Sequence, residues 1–298
     1  MPTILIIGKN GQVGFELQRS LVVLGNVIAV DRSECDLVDP ATIQALVARV
    51  QPDIIVNSAA YTAVDKAESE QLLAHAVNAI APGVLGECAE QIGALLVHYS
   101  TDYVFDGGKD GRYTEDDATN PQSVYGKTKR DGELGVAKAT PKHLIFRTSW
   151  VFGAHGGNFL KTVLRLAAEL ERLEIVADQW GAPTPASLIA DATAQILGQY
   201  LRTTDRNNFP YGTYHLVAAE ETTWHGYAQV VLNQAMEAGR ALKAGPAQLV
   251  PISAAAYPRP APRPANSRLA TTKLEHTFGL VLPNWRIGVA HVLAQLTQ

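Results

Sequence analysis

The amino-acid sequence predicts an α/β fold built on a doubly wound parallel sheet, with a second and smaller C-terminal domain. Short apolar runs alternate with helical patterns through the first half of the chain, which is typical of such sheets. A glycine-rich turn joins the first run to the first helical pattern. The alternation loosens after about Trp150, so we place the domains at residues 1–150 and 151–298, with segments of the second expected to cross back to the first.

Each predicted strand is a short run rich in β-branched residues, as in strands buried on both faces of a parallel sheet. Such runs occupy residues 3–7, 26–30, 53–57, 94–99 and 143–147. Helical patterns lie between them at about 11–24, 40–50, 63–92 and 121–139. The third helical pattern has a candidate break near Pro82, because proline removes a backbone donor.

The second half of the chain has two further helical patterns, at 158–172 and 188–201, and a candidate strand at 214–217. Residues 257–264 contain four prolines, which exclude a helix or a central strand because they fix φ and remove donors. This stretch is either a disordered linker or a loop that lines a pocket. We favour the pocket loop, since a helical pattern resumes at Thr271.

The composition limits the classes of function. The chain has 25 Lys and Arg against 29 Asp and Glu, and this balance argues against a general nucleic-acid binder but allows a basic pocket for one anionic ligand. The N-terminus carries no secretory signal pattern and no long apolar span occurs, so we expect a cytoplasmic protein that does not contact a membrane. Cys35 and Cys88 form no CxxC pair and no zinc pattern, which indicates a reduced compartment without a structural metal.

The first motif is the glycine turn Gly8, Gly11 and Gly14, placed where a strand hands over to a helix. In a dinucleotide fingerprint such glycines allow a tight turn, close approach of a pyrophosphate and close packing of helix on strand. The helix N-terminus adds free amides and a partial positive charge. We therefore predict that residues 1–150 form a Rossmann-like dinucleotide-binding domain, although the spacing is GxxGxxG rather than GxGxxG and glycine serves any tight turn.

Asp31 ends the second strand, where an acidic residue commonly accepts from the adenosine ribose of NAD. Arg32 follows at once and could hold the 2′-phosphate of NADP instead. The two residues favour different cofactors, with a slight preference for NADPH. The small residues after the third strand, within Ala59–Thr62, would let the backbone pass close to the ribose and nicotinamide.

The second motif is Tyr125 and Lys129, which are four residues apart and so share one helix face. A nearby cation and an oxidised nicotinamide are expected to lower the phenol pKa, so that Tyr125 could exchange a proton with a carbonyl oxygen. The alternative is an exposed tyrosine on a helix surface. Ser100 and Thr101 follow the fourth strand, and either hydroxyl could bond the same oxygen at the carboxyl edge of the sheet.

These motifs, in this order, resemble those of extended short-chain dehydrogenases/reductases that act on nucleotide sugars. The order is GxxGxxG, STDYVFDG (100–107), YGKTK (125–129) and FRTSWVFG (146–153). Three further stretches are more specific and extend the resemblance over essentially the whole chain. They are AVDKAE (63–68), DQWGAPT (178–184) and RPANSRL (263–269).

The resemblance implies reduction of the C4 keto group of a dTDP-linked 4-keto-6-deoxy sugar to dTDP-L-rhamnose, by NADPH or alternatively NADH. Tyr125 would be the proton donor, Lys129 its partner and Thr101 the hydroxyl that tunes the site. Thr101, Asp102 and Trp150 would contact the sugar nucleotide. Residues 151–298 would form mainly the substrate-binding domain. The residues expected to line the cofactor are Gly8, Gly11, Gln12, Val13, Gly14, Asp31, Arg32, Asp36, Leu37, Ala59, Ala60, Tyr61, Thr62, Tyr125 and Lys129.

The sequence departs from the resemblance at a metal site. Some members are dimers bridged by magnesium through three glutamates. Glu16 matches the first, but Ser187 and Gln295 stand where the other two would be. One carboxylate does not easily hold Mg²⁺, which wants near-octahedral oxygen ligands. We therefore expect no bridging Mg²⁺, and a monomer or weak homodimer.

Two alternatives to this reductase remain at the level of sequence. Some relatives bind a nucleotide as non-catalytic regulatory subunits, as the beta subunit of methionine adenosyltransferase does. The intact Tyr125 and Lys129 pair argues against such a role. A reductase or epimerase of another 4-keto nucleotide sugar would use the same motifs. A dehydratase is disfavoured, because Tyr103 follows Asp102 where a second carboxylate would be expected.

Overall fold

The computed structural model describes residues 1–296, so the last two residues of the second predicted domain lie outside the described part. Its strands are β1 (Thr3–Ile7), β2 (Asn26–Val30), β3 (Ile54–Asn57), β4 (Leu95–Thr101), β5 (His143–Thr148), β6 (Val151–Phe152), β7 (Leu173–Val176), β8 (Trp180–Gly181), β9 (Thr184–Pro185), β10 (Gly212–His215), β11 (Thr222–Thr223) and β12 (Leu249–Ile252). Its α-helices are α1 (Gln12–Leu21), α2 (Pro40–Val50), α3 (Val64–Ala67), α4 (Gln71–His75), α5 (Ala81–Ile92), α6 (Val124–Ala139), α7 (Phe159–Glu169), α8 (Ala186–Arg202), α9 (Trp224–Glu237), α10 (Thr272–Phe278) and α11 (Trp285–Leu296).

Six parallel strands form the central sheet in the order β10-β5-β4-β3-β1-β2. Because β1 pairs with β2 on one side and β3 on the other, the direction of winding reverses at β1. In doubly wound sheets, ligands bind in the crevice at the carboxyl ends of the strands at such a reversal. The predicted fold class is confirmed, and the topology places a binding crevice beside the glycine turn.

Helices cover both faces of this sheet. Leu17 of α1 and Ile189 of α8 belong to the core on one face, and Ile43 of α2 and Leu85 of α5 belong to the core on the other. The edge strand β10 comes from the second half of the chain and pairs with β5 in parallel. The first 150 residues therefore supply five of the six strands of the sheet.

A separate core in the second half joins α7, α9 and α11 around the buried side chains of Tyr227 and Trp285. Strand β7 pairs with β12 beside this core. Residues 257–264 then form an irregular loop, as their prolines predict. This second unit contacts the start of α1, just after β1, where the Asn158 side chain donates to that of Gln12 (2.9 Å).

Several element boundaries differ from those predicted. Helix α6 begins at Val124 rather than near residue 121, because the Ser123 hydroxyl caps it by accepting from the Gly126 amide (3.1 Å). The predicted break near Pro82 is wrong, since Pro82 lies in the first turn of α5, where its missing N–H is harmless. The irregularity lies just before it, in a π-helical turn at Ala76–Ile80. The strand predicted at 214–217 is β10, two residues earlier.

The helical run from Gln71 to Ile92 is long and apolar enough, by length and composition alone, to cross a membrane. Half of its most apolar window is buried inside the fold, where Leu85 and Ala89 pack in the core beneath the sheet. A buried core helix satisfies the same criteria, and the packing gives this run that role.

Candidate active site

The glycine turn is shaped by backbone contacts that exclude a side chain. Gly8 has φ +95°, and a Cβ there would lie 2.8 Å from the amide nitrogen of Ala59. A Cβ at Gly14 would lie 2.1 Å from the carbonyl oxygen of Gly8. Helix α1 starts directly after Gly11, and no side chain caps its first amides. The turn therefore fits a dinucleotide pyrophosphate, which would accept from those amides.

The end of β2 holds a polar cluster around Asp31. Its carboxylate accepts from the Ser33 hydroxyl (2.6 Å) and amide (2.9 Å) and from the Asn10 side chain (3.0 Å), and Lys9 lies 3.5 Å away. The Ser33 hydrogen bonds, with smaller contributions from Lys9 and Asn10, lower the pKa of Asp31 to about 2. Asp31 is therefore an anion whose oxygens already have partners in the protein.

The neighbouring predicted cofactor residues differ in accessibility. The Arg32 side chain is 75% exposed and reaches Asp36 at 3.4 Å, a weak surface pair. Leu37 is buried in the core on the α2 and α5 face of the sheet, so its side chain packs inside the protein near the end of β2. Arg32 is thus the charged group near the end of β2 that is most open to a ligand.

The loop after β3 is fixed by a residue that sequence reasoning missed. Asn78, in the π-helical turn, accepts from the Tyr61 amide (2.8 Å) and donates to the Tyr61 carbonyl (3.0 Å). Its amide also donates to the Thr128 hydroxyl (3.2 Å), next to Lys129. Asn78 therefore ties the predicted cofactor loop to α6. A single asparagine in a helical pattern gives no sequence signal, but π turns are frequent at functional sites.

Tyr125 lies in the first turn of α6, and its ring packs edge-on against Tyr103 at 5.4 Å between centroids. Enclosure of its hydroxyl raises the pKa of Tyr125 to about 12, against the opposing effect of a hydrogen bond with Thr101, while the nearby Asp102 raises it further. The expectation that Lys129 lowers this pKa is wrong for the protein without cofactor. Tyr125 is instead held in its protonated form, which is the form that can donate a proton.

The Lys129 side chain is held by two residues of β4. Its ammonium donates to the Tyr99 carbonyl oxygen (2.7 Å) and lies 3.3 Å from Nε2 of His98, at 2% exposure. Burial lowers the pKa of Lys129 to about 8, and the nearby Glu133 opposes that shift. His98 is held in turn by Asn57 (3.1 Å). The series of contacts from Asn57 through His98 to Lys129 was not predicted, because a polar residue within a buried strand forms no recognisable sequence pattern.

Three further residues at the end of β4 complete the centre. The Thr101 hydroxyl lies 3.1 Å from Asp102 and accepts from the Tyr103 amide (3.2 Å). Burial raises the pKa of Asp102 to about 6, against hydrogen bonds from Ser267 and Thr101. The Ser100 hydroxyl is buried and without a partner among the described residues. Of the two candidate hydroxyls, Thr101 is the one whose hydrogen bonding lowers the pKa of Tyr125.

A cavity of about 590 Å³ opens beside this centre, lined mostly by the C-terminal unit together with Asp65 and Tyr103 from the first half of the chain. Tyr103 links the two, because it lines the cavity and contacts Tyr125. Trp224 also lines the cavity, and Trp150 stacks behind it at 3.6 Å between ring centroids. The lining residues are Asp65, Tyr103, Phe159, Thr162, Val163, Leu166, Glu174, Ile175, Val176, Gln179, Trp224, Ala254, Tyr257, Pro258, Arg259, Ala261, Pro262 and Arg263.

The proline-rich loop at 257–264 forms one wall of this cavity, which confirms the prediction that it lines a pocket. It brings two guanidinium groups, those of Arg259 and Arg263, to an otherwise largely apolar and aromatic cleft. Aromatic walls with a few placed polar groups are the usual lining of a site for an organic ligand. The cations suit a ligand that also carries phosphate.

The three positions compared with magnesium-binding glutamates do not fit that metal. Glu16 pairs with Arg19 at 3.4 Å, and the Gln295 amide contacts His291 at 3.1 Å. Ser187 lies in the first turn of α8 and, like Gln295, brings no carboxylate. Over residues 1–296, no group of three His, Cys, Asp or Glu side chains could hold a metal ion.

Comparisons with known proteins agree with this geometry. The family model for the RmlD substrate binding domain matches residues 2–298. The chain is 49% identical over 297 residues to the dTDP-4-dehydrorhamnose reductase of Salmonella typhimurium, covering 98% of this chain and 97% of that protein. A crystal structure of the enzyme of that name from Clostridium acetobutylicum superposes with a TM-score of 0.89 at 35% identity, covering 99% and 100% of the two chains. One from Bacillus anthracis, in complex with NADP, superposes with a TM-score of 0.88 at 32% identity, covering 99% of each chain.

Fold, site and relatives together place the chain among nicotinamide-dependent oxidoreductases with a Rossmann-type sheet. Within that class, the chain belongs to the dTDP-4-dehydrorhamnose reductase family.

Proposed function

We propose that this protein reduces the C4 keto group of dTDP-4-dehydrorhamnose to give dTDP-L-rhamnose, with Tyr125 as proton donor. The observation that carries the proposal is the protonated phenol of Tyr125, which contacts Thr101 and adjoins, through Tyr103, a cavity of nucleotide-sugar size. The relatives' names supply the substrate.

When bound, the reduced nicotinamide supplies the hydride. The chain's own contribution is to the carbonyl oxygen, on which negative charge develops as the carbon is reduced. Tyr125 donates its proton to that oxygen, and the Thr101 hydroxyl steadies the phenol through their hydrogen bond. Lys129, whose ammonium is held by the Tyr99 carbonyl oxygen and His98, is proposed to contact the bound cofactor from the same helix face rather than to act on the phenol. Asp102 and the Trp150–Trp224 stack are proposed to position the sugar nucleotide.

For the cofactor, we favour NADPH over NADH. The carboxylate of Asp31 already accepts from Ser33 and Asn10, so it is a poorer acceptor for a ribose hydroxyl. Lys9 lies 3.5 Å from Asp31, and Arg32 is the next residue in the chain, with an exposed guanidinium that suits a 2′-phosphate. The pyrophosphate is assigned to the free amides that follow Gly11.

The diphosphate of the sugar nucleotide is assigned to the cavity wall that carries Arg259 and Arg263. Guanidinium groups bind phosphate oxygens with two parallel hydrogen bonds. The apolar and aromatic part of the cavity, with Phe159 and Trp224, then suits the flat thymine base.

The proposal is tested by incubating the protein with the keto sugar nucleotide and either NADPH or NADH. We expect NADPH oxidation at 340 nm and a product that NMR identifies as dTDP-L-rhamnose, with a higher kcat/KM for NADPH than for NADH. Nucleotide binding without turnover would instead indicate a regulatory subunit, and a different product sugar would reassign the substrate.

We also propose that no magnesium ion bridges two copies of this chain, since Ser187 and Gln295 bring no carboxylate beside Glu16. The expected result is one elution volume in size-exclusion chromatography, the same with and without a chelator, together with unchanged reductase activity. A dimer that dissociates on chelation would contradict this.

A further inference from the structure

The AVDKAE stretch at 63–68 has no role in the mechanism above. Its side chains nevertheless contact both the proline-rich loop and the first turn of α6. It contains α3, directly after the loop Ala59–Thr62 that is predicted to line the cofactor. Two of its acidic residues, Asp65 and Glu68, are three positions apart, a spacing that places side chains close together on a helix surface. Each reaches a different functional element.

Asp65 holds the proline-rich loop. Its carboxylate pairs with the Arg263 guanidinium at 2.9 Å, lies 4.0 Å from that of Arg259 and accepts from the Ala261 amide at 3.3 Å. Arg263 is only 22% exposed and lies over the ring of Tyr103, 5.9 Å from its centroid. Three points of one loop therefore converge on one carboxylate, which makes a firmer attachment than an isolated surface pair.

Glu68 holds the first turn of the helix that carries Tyr125. Its carboxylate accepts from the Val124 amide at 2.9 Å, and the first amides of a helix have no partner within the helix itself. Helix α6 has no acidic residue in its own first turn, so Glu68 supplies negative charge at the positive end of the helix dipole. Tyr125 is the next residue, and its phenol projects from the turn that Glu68 fixes.

We propose that α3 and the Glu68 that follows it form a positioning element, in which Asp65 sets the proline-rich loop over the substrate cavity and Glu68 sets the first turn of α6. Asp65 and Glu68 act through other residues and contact no reacting atom in this assignment. This inference rests on the proposed function and deepens it, because it makes one short helix and its C-terminal cap residue responsible for the spacing between the bound sugar nucleotide and the proton donor.

The two acidic residues are expected to affect different kinetic constants. Asp65→Asn keeps an acceptor for Ala261 but removes the ion pair, so KM for the sugar nucleotide should rise about tenfold with kcat within about twofold. Glu68→Ala removes the acceptor of the Val124 amide while leaving the Ser123 cap, so kcat should fall about tenfold with KM little changed. Glu68→Gln keeps an acceptor for Val124 and should recover most of the lost kcat. Lys66→Gln, an exposed position on the same helix, is the matched control and should leave both constants unchanged.

The same four variants are titrated with NADPH and with dTDP by calorimetry. NADPH affinity should be unchanged in all of them, and dTDP affinity should fall about tenfold in Asp65→Asn only. The inference is overturned if Asp65→Asn and Glu68→Ala lower the melting temperature alone, or if each changes KM and kcat together. If the wild-type protein does not turn over the keto sugar, the proposed function fails, and unaltered dTDP affinity in Asp65→Asn would then overturn the inference separately.

Discussion

Replacing Tyr125 with phenylalanine should lower kcat by a factor of ~10²–10⁴, the usual contribution of a positioned general acid. The variant keeps the ring that packs against Tyr103 and loses only the hydroxyl that contacts Thr101. NADPH affinity should therefore change by no more than about twofold, because the lost interaction acts on the reacting oxygen. Steady-state NADPH oxidation and fluorescence titration of bound NADPH measure the two quantities.

Tyr211 provides a matched control for that substitution. Its hydroxyl donates to the Arg206 carbonyl oxygen (2.7 Å), just before β10 and outside the crevice. Tyr211→Phe removes a hydroxyl of the same kind and should leave kcat unchanged while costing about 1 kcal/mol of stability. Equal turnover in Tyr125→Phe and in the wild-type protein would remove Tyr125 from the mechanism.

Replacing Glu133 with alanine should destabilise the protein by about 3–5 kcal/mol. Glu133 of α6 accepts two hydrogen bonds from Arg147 of β5 (2.9 and 2.7 Å), and the two side chains are 7% and 8% exposed. Without the carboxylate, a buried guanidinium has no counter-charge. Thermal unfolding should show a melting temperature lower by roughly 10 °C. Loss of Glu133 should also lower the pKa of Lys129 further, since the carboxylate favours its charged form.

The surface pair between Arg165 and Glu169 tests whether burial of the ion pair causes the large loss of stability expected for Glu133→Ala. Its nitrogen and oxygen lie 2.9 Å apart, but the side chains are 60% and 54% exposed. Glu169→Ala should cost only about 0.3–0.5 kcal/mol. Comparable losses of unfolding free energy in Glu133→Ala and Glu169→Ala would show that the buried α6–β5 pair stabilises the protein no more than a surface pair does. Should Glu133→Ala not accumulate as folded protein, Glu133→Gln retains one acceptor and should show a smaller loss in the same measurement.

Much of the fold could be predicted because its signals are local. The strands are short β-branched runs, and Gly8 stands where the chain must turn with a positive φ. The centre was predictable in part for the same reason, since Tyr125 and Lys129 are one helical turn apart. Such patterns survive in the sequence because backbone geometry and helix periodicity depend on near neighbours only.

The parts that were missed depend on contacts between distant segments. Asn78 joins Tyr61 to Thr128, and His98 lies beside Lys129, yet neither residue stands in a recognisable pattern. The direction of the Tyr125 pKa was also missed, because it is set by how completely the folded chain encloses the hydroxyl. Enclosure is a property of packing, and a single sequence does not display it.

The origin of the edge strand β10 has a consequence for biosynthesis. A nascent chain that has reached only residue 150 has made β5 but not the strand that will cover it, so the apolar ladder of Leu144 and Phe146 stays open along its free backbone groups. Closure waits until residues 212–215 leave the ribosome, after α7 and α8 have been synthesised. If the ribosome stalled between residues 150 and 212, the unpaired edge of β5 could associate with other chains. Synthesis of β10 therefore protects the first half of the protein from aggregation.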